Sequence, residues 1–358
     1  MHYRTFFTIA LLGLVSLTGC GNSLELTIAS YPTASTNDTS TQIVFSRRME
    51  GMNSDLFVMD SEGKNLRQIT DTPLREIYPK WSPHGTHLAV GAIPSETSGG
   101  GFHIMSMRAD GSERVDYTHS NATIMGQLPT WTPDGAITYI GEPDLRIWSL
   151  DPATAAVQPL TPQRPEGWTR PYPAPPVPTD DQGTPDWSKI PTQYQGAFDW
   201  SPDGSSFVTS LFGNIAQVRA DGMSMRWLTE PGGERDRYGF PQPGGDSDPV
   251  WSPDGTQIAF VREDARPSAE DLASWRRDIF VMNADGSNVR QLTTTRGFDP
   301  SPAWSPDGKR IVFASEGVPQ PNKKAQPIND IFVINIDGSG LTNLTNSPEH
   351  EMTPDWKR

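Results

Sequence analysis

Residues 249–255 read PVWSPDG, and the residues that follow them, up to 293, complete the unit that decides the fold. A short strand ends at Trp251 and leads into a Ser-Pro-Asp-Gly turn, where proline and glycine suit the backbone angles of tight turns. Three further strands are expected, at residues 258–261, 278–282 and 289–293. Short apolar runs separated by such turns are typical of antiparallel strands. The unit therefore predicts a four-stranded antiparallel sheet.

The same unit recurs along the chain. Trp-Ser-Pro-x-Gly or a near copy begins at Trp81, Trp131, Trp200, Trp251 and Trp304, and a truncated copy ends at Trp356. A Leu-Thr-type pair alternates with this mark, and its threonines are Thr70, Thr118, Thr161, Thr229, Thr293 and Thr345. Regular repetition of a four-strand unit is the signature of a β-propeller, in which each unit forms one blade. The fold expected over residues 42–358 is an all-β, six-bladed propeller of four-stranded antiparallel blades.

The two ends of the repeat complement each other. No further strands follow Trp356, whereas the strands expected at 43–46, 55–59 and 66–70 have no first strand before them. We therefore expect the C-terminal strand to join the N-terminal strands in one blade and to close the ring. A closed ring leaves no free sheet edge at the junction.

The repeat resembles that of TolB-type propellers. It reads Trp-Ser-Pro-Asp-Gly, then Ile-Phe-Val-Met-Asn-Ala-Asp-Gly, then Leu-Thr, and similar repeats occur in tricorn protease and in some prolyl-type peptidases. The resemblance covers residues 42–358 and implies the propeller fold, but it is much less specific for function because one fold hosts many activities. TolB proteins carry an α/β domain before the propeller, and this chain is expected to lack a counterpart of it.

The amino-acid composition and net charge exclude several classes of protein. The 32 glycines and 34 prolines among 358 residues suit a turn-rich β fold, and the 35% of hydrophobic residues exclude a disordered chain. The net charge of −14 argues against nucleic-acid binding and against a basic membrane-binding patch. The single cysteine excludes disulfides within the chain. Neither a Gly-x-Ser-x-Gly elbow nor a His-Glu-x-x-His motif is present, so no catalytic residue and no cofactor is predicted.

Residues 1–19 are typical of a lipoprotein signal peptide. A basic start and a short apolar run precede Leu-Thr-Gly-Cys, which resembles the lipobox of bacterial lipoproteins and ends at Cys20. Lipidation of Cys20 and a flexible Ser/Thr-rich tether over residues 20–41 are therefore expected. The alternative is an ordinary cleaved signal that happens to carry a cysteine. Either way the protein is predicted to be extracytoplasmic, and lipidation would anchor it to a bacterial membrane, facing the periplasm or the cell surface.

Insertions are expected on one face of the propeller only. They cover residues 162–199, 230–249, 263–277 and 316–329, in connections that enter a first strand or join a second strand to a third. Loops held by a rigid scaffold often carry binding sites, so this face is predicted to bind the ligand, with neutral drift in loops as the alternative. Its candidate aromatic contact residues are Trp168, Tyr172, Trp187, Tyr194 and Trp275.

Acidic residues precede several repeat tryptophans. Glu76, Asp246, Asp299 and Glu351 stand five positions before a tryptophan, and Asp248 stands three positions before Trp251. First strands are innermost in a propeller, so these side chains are predicted to crowd the channel mouth, near His350, and to favour a cation or a basic partner. The alternative is that they cap turns or pair with neighbours such as Arg75 and Arg296. The identity of any metal is left open.

These features predict a non-catalytic binding module that engages an envelope protein or peptide through the insertion-bearing face. A carbohydrate-binding lipoprotein is an alternative, favoured by the loop tryptophans. A second alternative is a polysaccharide lyase that uses a metal and a histidine, because some propellers with TolB-like repeats have this activity.

Overall fold

The computed structural model describes most of the repeat region. It covers residues 41–49, 53–94, 102–117, 126–141, 146–160, 195–211, 213–222, 224–229, 234–235, 241–242, 245–263, 277–294, 300–316 and 328–358. All of these residues belong to one compact unit, 35–358. Cys20, the signal peptide and most of each insertion lie outside the described residues. Within the described ranges no helix is long and apolar enough to cross a membrane.

The described strands form six four-stranded blades, which we number 1 to 6; a single parallel bridge between Ser54 and Arg75 joins blades 1 and 2 into one eight-stranded sheet. Blade 1 contains β26 (Glu351–Trp356), β1 (Gln42–Arg48), β2 (Ser54–Asp60) and β3 (Arg67–Gln68); blade 2 contains β4 (Leu74–Trp81), β5 (His87–Pro94), β6 (His103–Arg108) and β7 (Val115–Asp116); blade 3 contains β8 (Gly126–Trp131), β9 (Ile137–Gly141), β10 (Arg146–Leu150) and β11 (Val157–Pro159). Blade 4 contains β12 (Gln195–Trp200), β13 (Ser206–Leu211), β14 (Asn214–Arg219) and β15 (Met225–Trp227); blade 5 contains β18 (Asp246–Trp251), β19 (Gln257–Glu263), β20 (Arg277–Asn283) and β21 (Arg290–Gln291); blade 6 contains β22 (Ala303–Trp304), β23 (Arg310–Ser315), β24 (Asp330–Asn335) and β25 (Thr342–Asn343). A short hairpin of β16 (Glu234–Arg235) and β17 (Pro241–Gln242) precedes blade 5.

The two marks of the repeat have separate structural roles. The threonine hydroxyl accepts a hydrogen bond from a backbone N–H of the third strand, as Thr70 does from Leu56 at 2.8 Å. The same bond occurs at Thr229, Thr293 and Thr345. The repeat tryptophans pack in the core, since all but the half-buried Trp131 are buried. The recurring sequence therefore repeats because each blade needs the same bond and the same packing.

The first and last strands pair as predicted. In the antiparallel ladder between β1 and β26, Ile43 lies opposite Trp356 and Arg47 lies opposite Glu351. Trp356 is 1% exposed and belongs to an apolar cluster that blade 1 shares with blade 6. Apolar clusters also lie between each of the other consecutive pairs of blades. Burial between neighbouring blades is therefore the main source of stability in this fold.

Two boundaries differ from the expected ones. The outermost strand of each blade has only two or three residues, because the apolar residues expected to start it, such as Leu66 and Val289, are exposed at the blade edge. The innermost strands β12 and β18 begin at Gln195 and Asp246, inside the expected insertions 162–199 and 230–249. These strands are longer than expected because a bulge lets pairing continue before the repeat tryptophan, as described next.

Candidate functional site

The inner strands of blades 1 to 5 carry an irregularity just before the tryptophan. In blade 5 the register between β18 and β19 shifts between Ser247 and Val250, and equivalent shifts occur in blades 1 to 4. The residue three positions before the tryptophan has a positive φ in five blades, with values of 55° at Tyr78, 55° at Leu128, 49° at Asp248, 59° at Ser301 and 50° at Thr353. A β-bulge of this kind turns a side chain in a new direction.

These bulge residues face the central channel. Together with Ala197 of blade 4 they form a set of one residue per blade, which we call the bulge ring: Tyr78, Leu128, Ala197, Asp248, Ser301 and Thr353. All six are half-buried and line a cavity of about 460 Å³, within the size range of small-ligand sites. Positive φ is costly for residues other than glycine, and such strain often marks a functional site.

The cavity lies toward the insertion-bearing face. The inner strands begin at this end of the channel, and three residues that line the cavity, Ala197, Asp248 and Asn329, stand at the ends of the insertions 162–199, 230–249 and 316–329. In most blades a proline follows the bulge residue. Proline has no N–H to donate, so it fits a position where the hydrogen bonds between the two strands are interrupted. The bulge ring and the insertions thus share one end of the propeller.

The bulge ring has a polar side and an apolar side. Blades 5, 6, 1 and 2 contribute Asp248, Ser301, Thr353 and Tyr78, whose side chains carry a carboxylate and three hydroxyl groups. Blades 3 and 4 contribute Leu128 and Ala197, beside the buried Pro129 and Phe198. A ligand in this cavity therefore meets hydrogen-bonding groups along one side and apolar surface along the other.

Asp248 and Tyr78 influence each other electrostatically. Burial raises the pKa of the Asp248 carboxyl, while Arg277, the Ser301 N–H and Lys80 oppose that rise. Burial also raises the pKa of the Tyr78 hydroxyl, and the charge of Asp248 adds to the effect. The Tyr78 hydroxyl therefore stays protonated at neutral pH and can donate a hydrogen bond to a ligand.

His350 also lines this cavity, as the sequence predicted for a residue near the mouth. Its Nδ1 accepts a hydrogen bond from the Asn329 N–H at 3.2 Å, which leaves Nε2 to carry the proton of the neutral ring. Burial lowers the pKa of His350, and the charge of Arg48 lowers it further. The ring is therefore neutral at physiological pH and adds no positive charge to the cavity.

A second cavity, of about 340 Å³, continues the channel toward the Ser-Pro-Asp-Gly turns. Its lining includes five of the six repeat tryptophans and two ion pairs, Lys80 with Asp355 at 3.1 Å and Arg358 with Asp199 at 3.5 Å. The carboxylates of Asp355 and Asp199 also accept hydrogen bonds from the backbone N–H groups of Trp81 and Trp251 in the next blade. This end of the channel is structural, because its polar groups are used to join the blades.

The predicted acidic ring does not form from the residues five positions before the tryptophans. Asp246 is buried and receives two hydrogen bonds from Arg262, at 2.6 and 2.8 Å. Glu351 is buried and is paired with Arg47 at 2.5 and 2.9 Å. Neither carboxylate lines the channel cavity. The bulge turns the residue three positions before the tryptophan toward the channel instead, so Asp248 is the one predicted acid, among those that the structure describes, that faces it.

Glu76 is the third buried acid of this set. The residue opposite it across the strand pair is Ala92, where the other two blades place Arg262 and Arg47. Its nearest cation is Arg114, at 3.5 Å, and within the described ranges neither of its carboxylate oxygens accepts a hydrogen bond by distance and angle. Burial raises the pKa of Glu76 to about 7, and the nearby Thr70 and Arg114 offset only part of the rise. These contacts lie between blades 1 and 2 rather than in the channel.

Several predicted site residues lie outside the described residues. They are the acid Asp299, the lipidation candidate Cys20 and the aromatic residues Trp168, Tyr172, Trp187, Tyr194 and Trp275. Sequence reasoning also missed Tyr78, Ser301 and Thr353. Aligning the third position before each tryptophan, rather than the fifth, would have found them. Across the described part of the chain, no three His, Cys, Asp or Glu side chains are grouped so as to hold a metal ion.

Comparisons with known proteins agree with the observed fold. Residues 233–358 match the family model described as TolB beta propeller domain. An uncharacterized protein of Agrobacterium fabrum is 28% identical over 295 residues, which are 73% of this chain and 92% of that protein. The Tol-Pal system protein TolB of Anaeromyxobacter dehalogenans is 36% identical over 109 residues, which are 30% of this chain and 21% of that protein.

A solved structure shows the same architecture. The crystal structure of TolB from Acinetobacter baumannii is similar with a TM-score of 0.62 at 19% identity, over 88% of this chain and 66% of that one. This chain therefore spans less than two thirds of either TolB protein. The repeat, the six four-stranded blades and these similarities together identify the fold as a TolB-like β-propeller.

Proposed function

We propose that this protein is a non-catalytic binding module of the bacterial cell envelope, which holds a protein or peptide at the insertion-bearing end of its channel. The bulge ring carries the proposal. Five of its residues adopt a costly backbone conformation that turns their side chains into one cavity, beside the loops that would surround a bound ligand. A ring of side chains around one cavity suits recognition of a segment inserted into the channel.

The relatives support a protein as the partner. TolB of Anaeromyxobacter dehalogenans is described as a protein of the Tol-Pal system, so a propeller of the same fold takes part in an assembly of proteins. The lipobox at Cys20 supports an extracytoplasmic, membrane-anchored location. The neutral His350, with no group of metal ligands among the described residues, offers less support for metal-dependent lyase chemistry.

A pull-down from envelope extract tests the proposal with two matched variants of the full chain. Leu128→Arg places a charge on the apolar side of the bulge ring, whereas His84→Arg changes an exposed residue in a Ser-Pro-x-Gly turn on the opposite face. We expect Leu128→Arg to lose proteins that the wild type and His84→Arg retain, because a buried guanidinium is poorly accommodated by an apolar contact.

The wild type and the two variants are compared at a temperature at which all three are folded. Retention of the same proteins by all three forms, or of none by the wild type, would contradict the proposed function. Retention of protein-free polysaccharide by the wild type would favour the carbohydrate alternative. Release of unsaturated, ultraviolet-absorbing sugars would favour the lyase alternative.

A further inference from the structure

Asp248 is the one charged group without a salt bridge among the described residues that line the channel cavity. Of the described side chains that line it, Asp248 is the one carboxylate. Lys80, the one lysine of that lining, is 3.1 Å from Asp355, and the nearby Arg277 is 3.3 Å from Glu263. Within the described ranges Asp248 itself has no salt bridge. The nearby basic groups are thus each held by another acid, and Asp248 is left to face the cavity.

The surroundings of Asp248 determine which ligand group fits. Its carboxylate is oriented by the Ser301 N–H and lies on the polar side of the bulge ring, near the Tyr78 hydroxyl. Leu128, Ala197 and Phe198 provide apolar surface on the other side of the same cavity. Lysine and arginine side chains combine a cationic head with an apolar stem, so they match both sides at once.

We propose that Asp248 binds the ammonium or guanidinium group of a basic side chain, which the partner protein or peptide inserts into the bulge ring. This inference rests on the proposed function and adds the chemical class of the inserted residue. The partner's cation replaces the water around a half-buried carboxylate with a charge-assisted hydrogen bond, and its stem packs against the apolar side. The net charge of −14 would favour approach of a basic segment at low ionic strength.

Binding of defined peptide pools to the full chain tests this assignment. The probes are fluorescent heptapeptide pools with random flanks and a fixed central arginine, citrulline or glutamate, measured in the presence of a chelator of divalent metals. Citrulline keeps the shape of arginine but has no charge. We expect the arginine pool to bind the wild type about tenfold more tightly than the citrulline pool, which corresponds to about 1.4 kcal/mol.

Two asparagine variants in the same blade distinguish binding at Asp248 from a general effect of the protein's negative charge. Asp248→Asn should reduce the preference for arginine to less than about twofold, because the desolvated charge pair is lost. Asp254→Asn removes the same charge from an exposed turn on the opposite face and should keep the preference. Equal behaviour of the two variants would overturn the inference.

The outcomes also distinguish the inference from the proposed function. Binding of all pools without a preference for arginine overturns the inference alone. Absence of binding by every pool overturns the proposed function and the inference with it. Tight binding of calcium that Asp248→Asn abolishes and that displaces the arginine pool would show that a metal ion, rather than a basic side chain, is the ligand.

Discussion

Asp246 and Asp248 stand two residues apart on one inner strand, yet their side chains have opposite surroundings. Asp246 is buried and held by two hydrogen bonds from Arg262, whereas Asp248 is half-buried and faces the channel cavity. The register shift between Ser247 and Val250 separates them. A regular strand would place both side chains on the same face, because side chains alternate with a period of two. One bulge therefore places neighbouring acids in different surroundings, one in a buried ion pair and one at the channel cavity.

The largest expected loss of stability comes from removal of the cation beside Asp246. Arg262→Met should lower the free energy of unfolding by roughly 3 to 4 kcal/mol, because a carboxylate with no exposed side-chain surface loses its partner. Urea denaturation measures the change. Arg290→Met, at an exposed position on the outermost strand of the same blade, is the control and should change stability by less than about 0.5 kcal/mol. Similar values for the two variants would contradict a structural role for the Asp246–Arg262 pair.

Glu76 is a second acid to compare with Asp246. It occupies the equivalent position in its blade but lies opposite Ala92 instead of an arginine. Its folded-state pKa of about 7 lies above the ordinary value near 4.5, so folding favours the protonated form. Stability from this group is complete below about pH 4.5, falls as the pH rises through 7, and is then constant. The total loss is about 3 kcal/mol at 1.36 kcal/mol for each pKa unit.

Denaturation curves between pH 4.5 and 8.5 measure this loss, with Glu76→Gln as the informative variant. The amide cannot ionise, so this variant should lose most of the pH dependence and become more stable than the wild type above pH 7. Asp246→Asn is the matched control. It leaves Arg262 without its carboxylate and should be less stable than the wild type at the alkaline end of the range. A Glu76→Gln variant with the wild-type pH dependence would contradict the raised pKa.

The sequence predicted the fold well because the repeat records packing and hydrogen bonding directly. Each tryptophan mark predicts a buried strand end, and Thr70 and its equivalents make the same bond in each described case. The pairing of β26 with β1 followed from the missing strands at the two ends. These features depend on local sequence and on counting, so they can be read without coordinates.

The site was harder to predict for a physical reason. Alignment on the tryptophans showed that the acids recur at one spacing, and we assumed a regular strand between each acid and its tryptophan. The bulge breaks that assumption, and the bulge residues share no type: Tyr78, Leu128 and Thr353 have a backbone angle in common but no side-chain chemistry. The proline that follows the bulge in most blades was the sequence signal that could have indicated it. The opposite strand also matters, since Arg262 and Ala92 determine whether an acid is paired. Both pieces of information come from tertiary structure.

The stability of Asp248→Asn tests whether Asp248, unlike Asp246, has no structural role. Because burial raises the pKa of Asp248, its ionised form is slightly unfavourable in the folded protein. The variant should therefore be more stable at neutral pH, by less than about 1 kcal/mol, while Asp246→Asn is less stable. Melting temperatures of the two variants in one buffer measure the difference. Destabilisation of similar size in both would mean that Asp248 has a structural role like that of Asp246.

The smallest expected effect concerns the strain of the bulge itself. Ser301 has a φ of 59°, which glycine adopts without steric cost, so Ser301→Gly should relieve about 1 kcal/mol of backbone strain. The greater flexibility of glycine in the unfolded chain offsets roughly half of that gain, which leaves a net stabilisation of about 0.5 kcal/mol. Ser247→Gly is the matched control in the extended part of β18, where the same substitution should destabilise by about 0.5 to 1 kcal/mol. Opposite signs for the two glycine variants in urea denaturation would establish that the bulge stores strain at the ring that faces the channel. Destabilisation by both would mean that the Ser301 side chain contributes more to folding than its backbone angle costs.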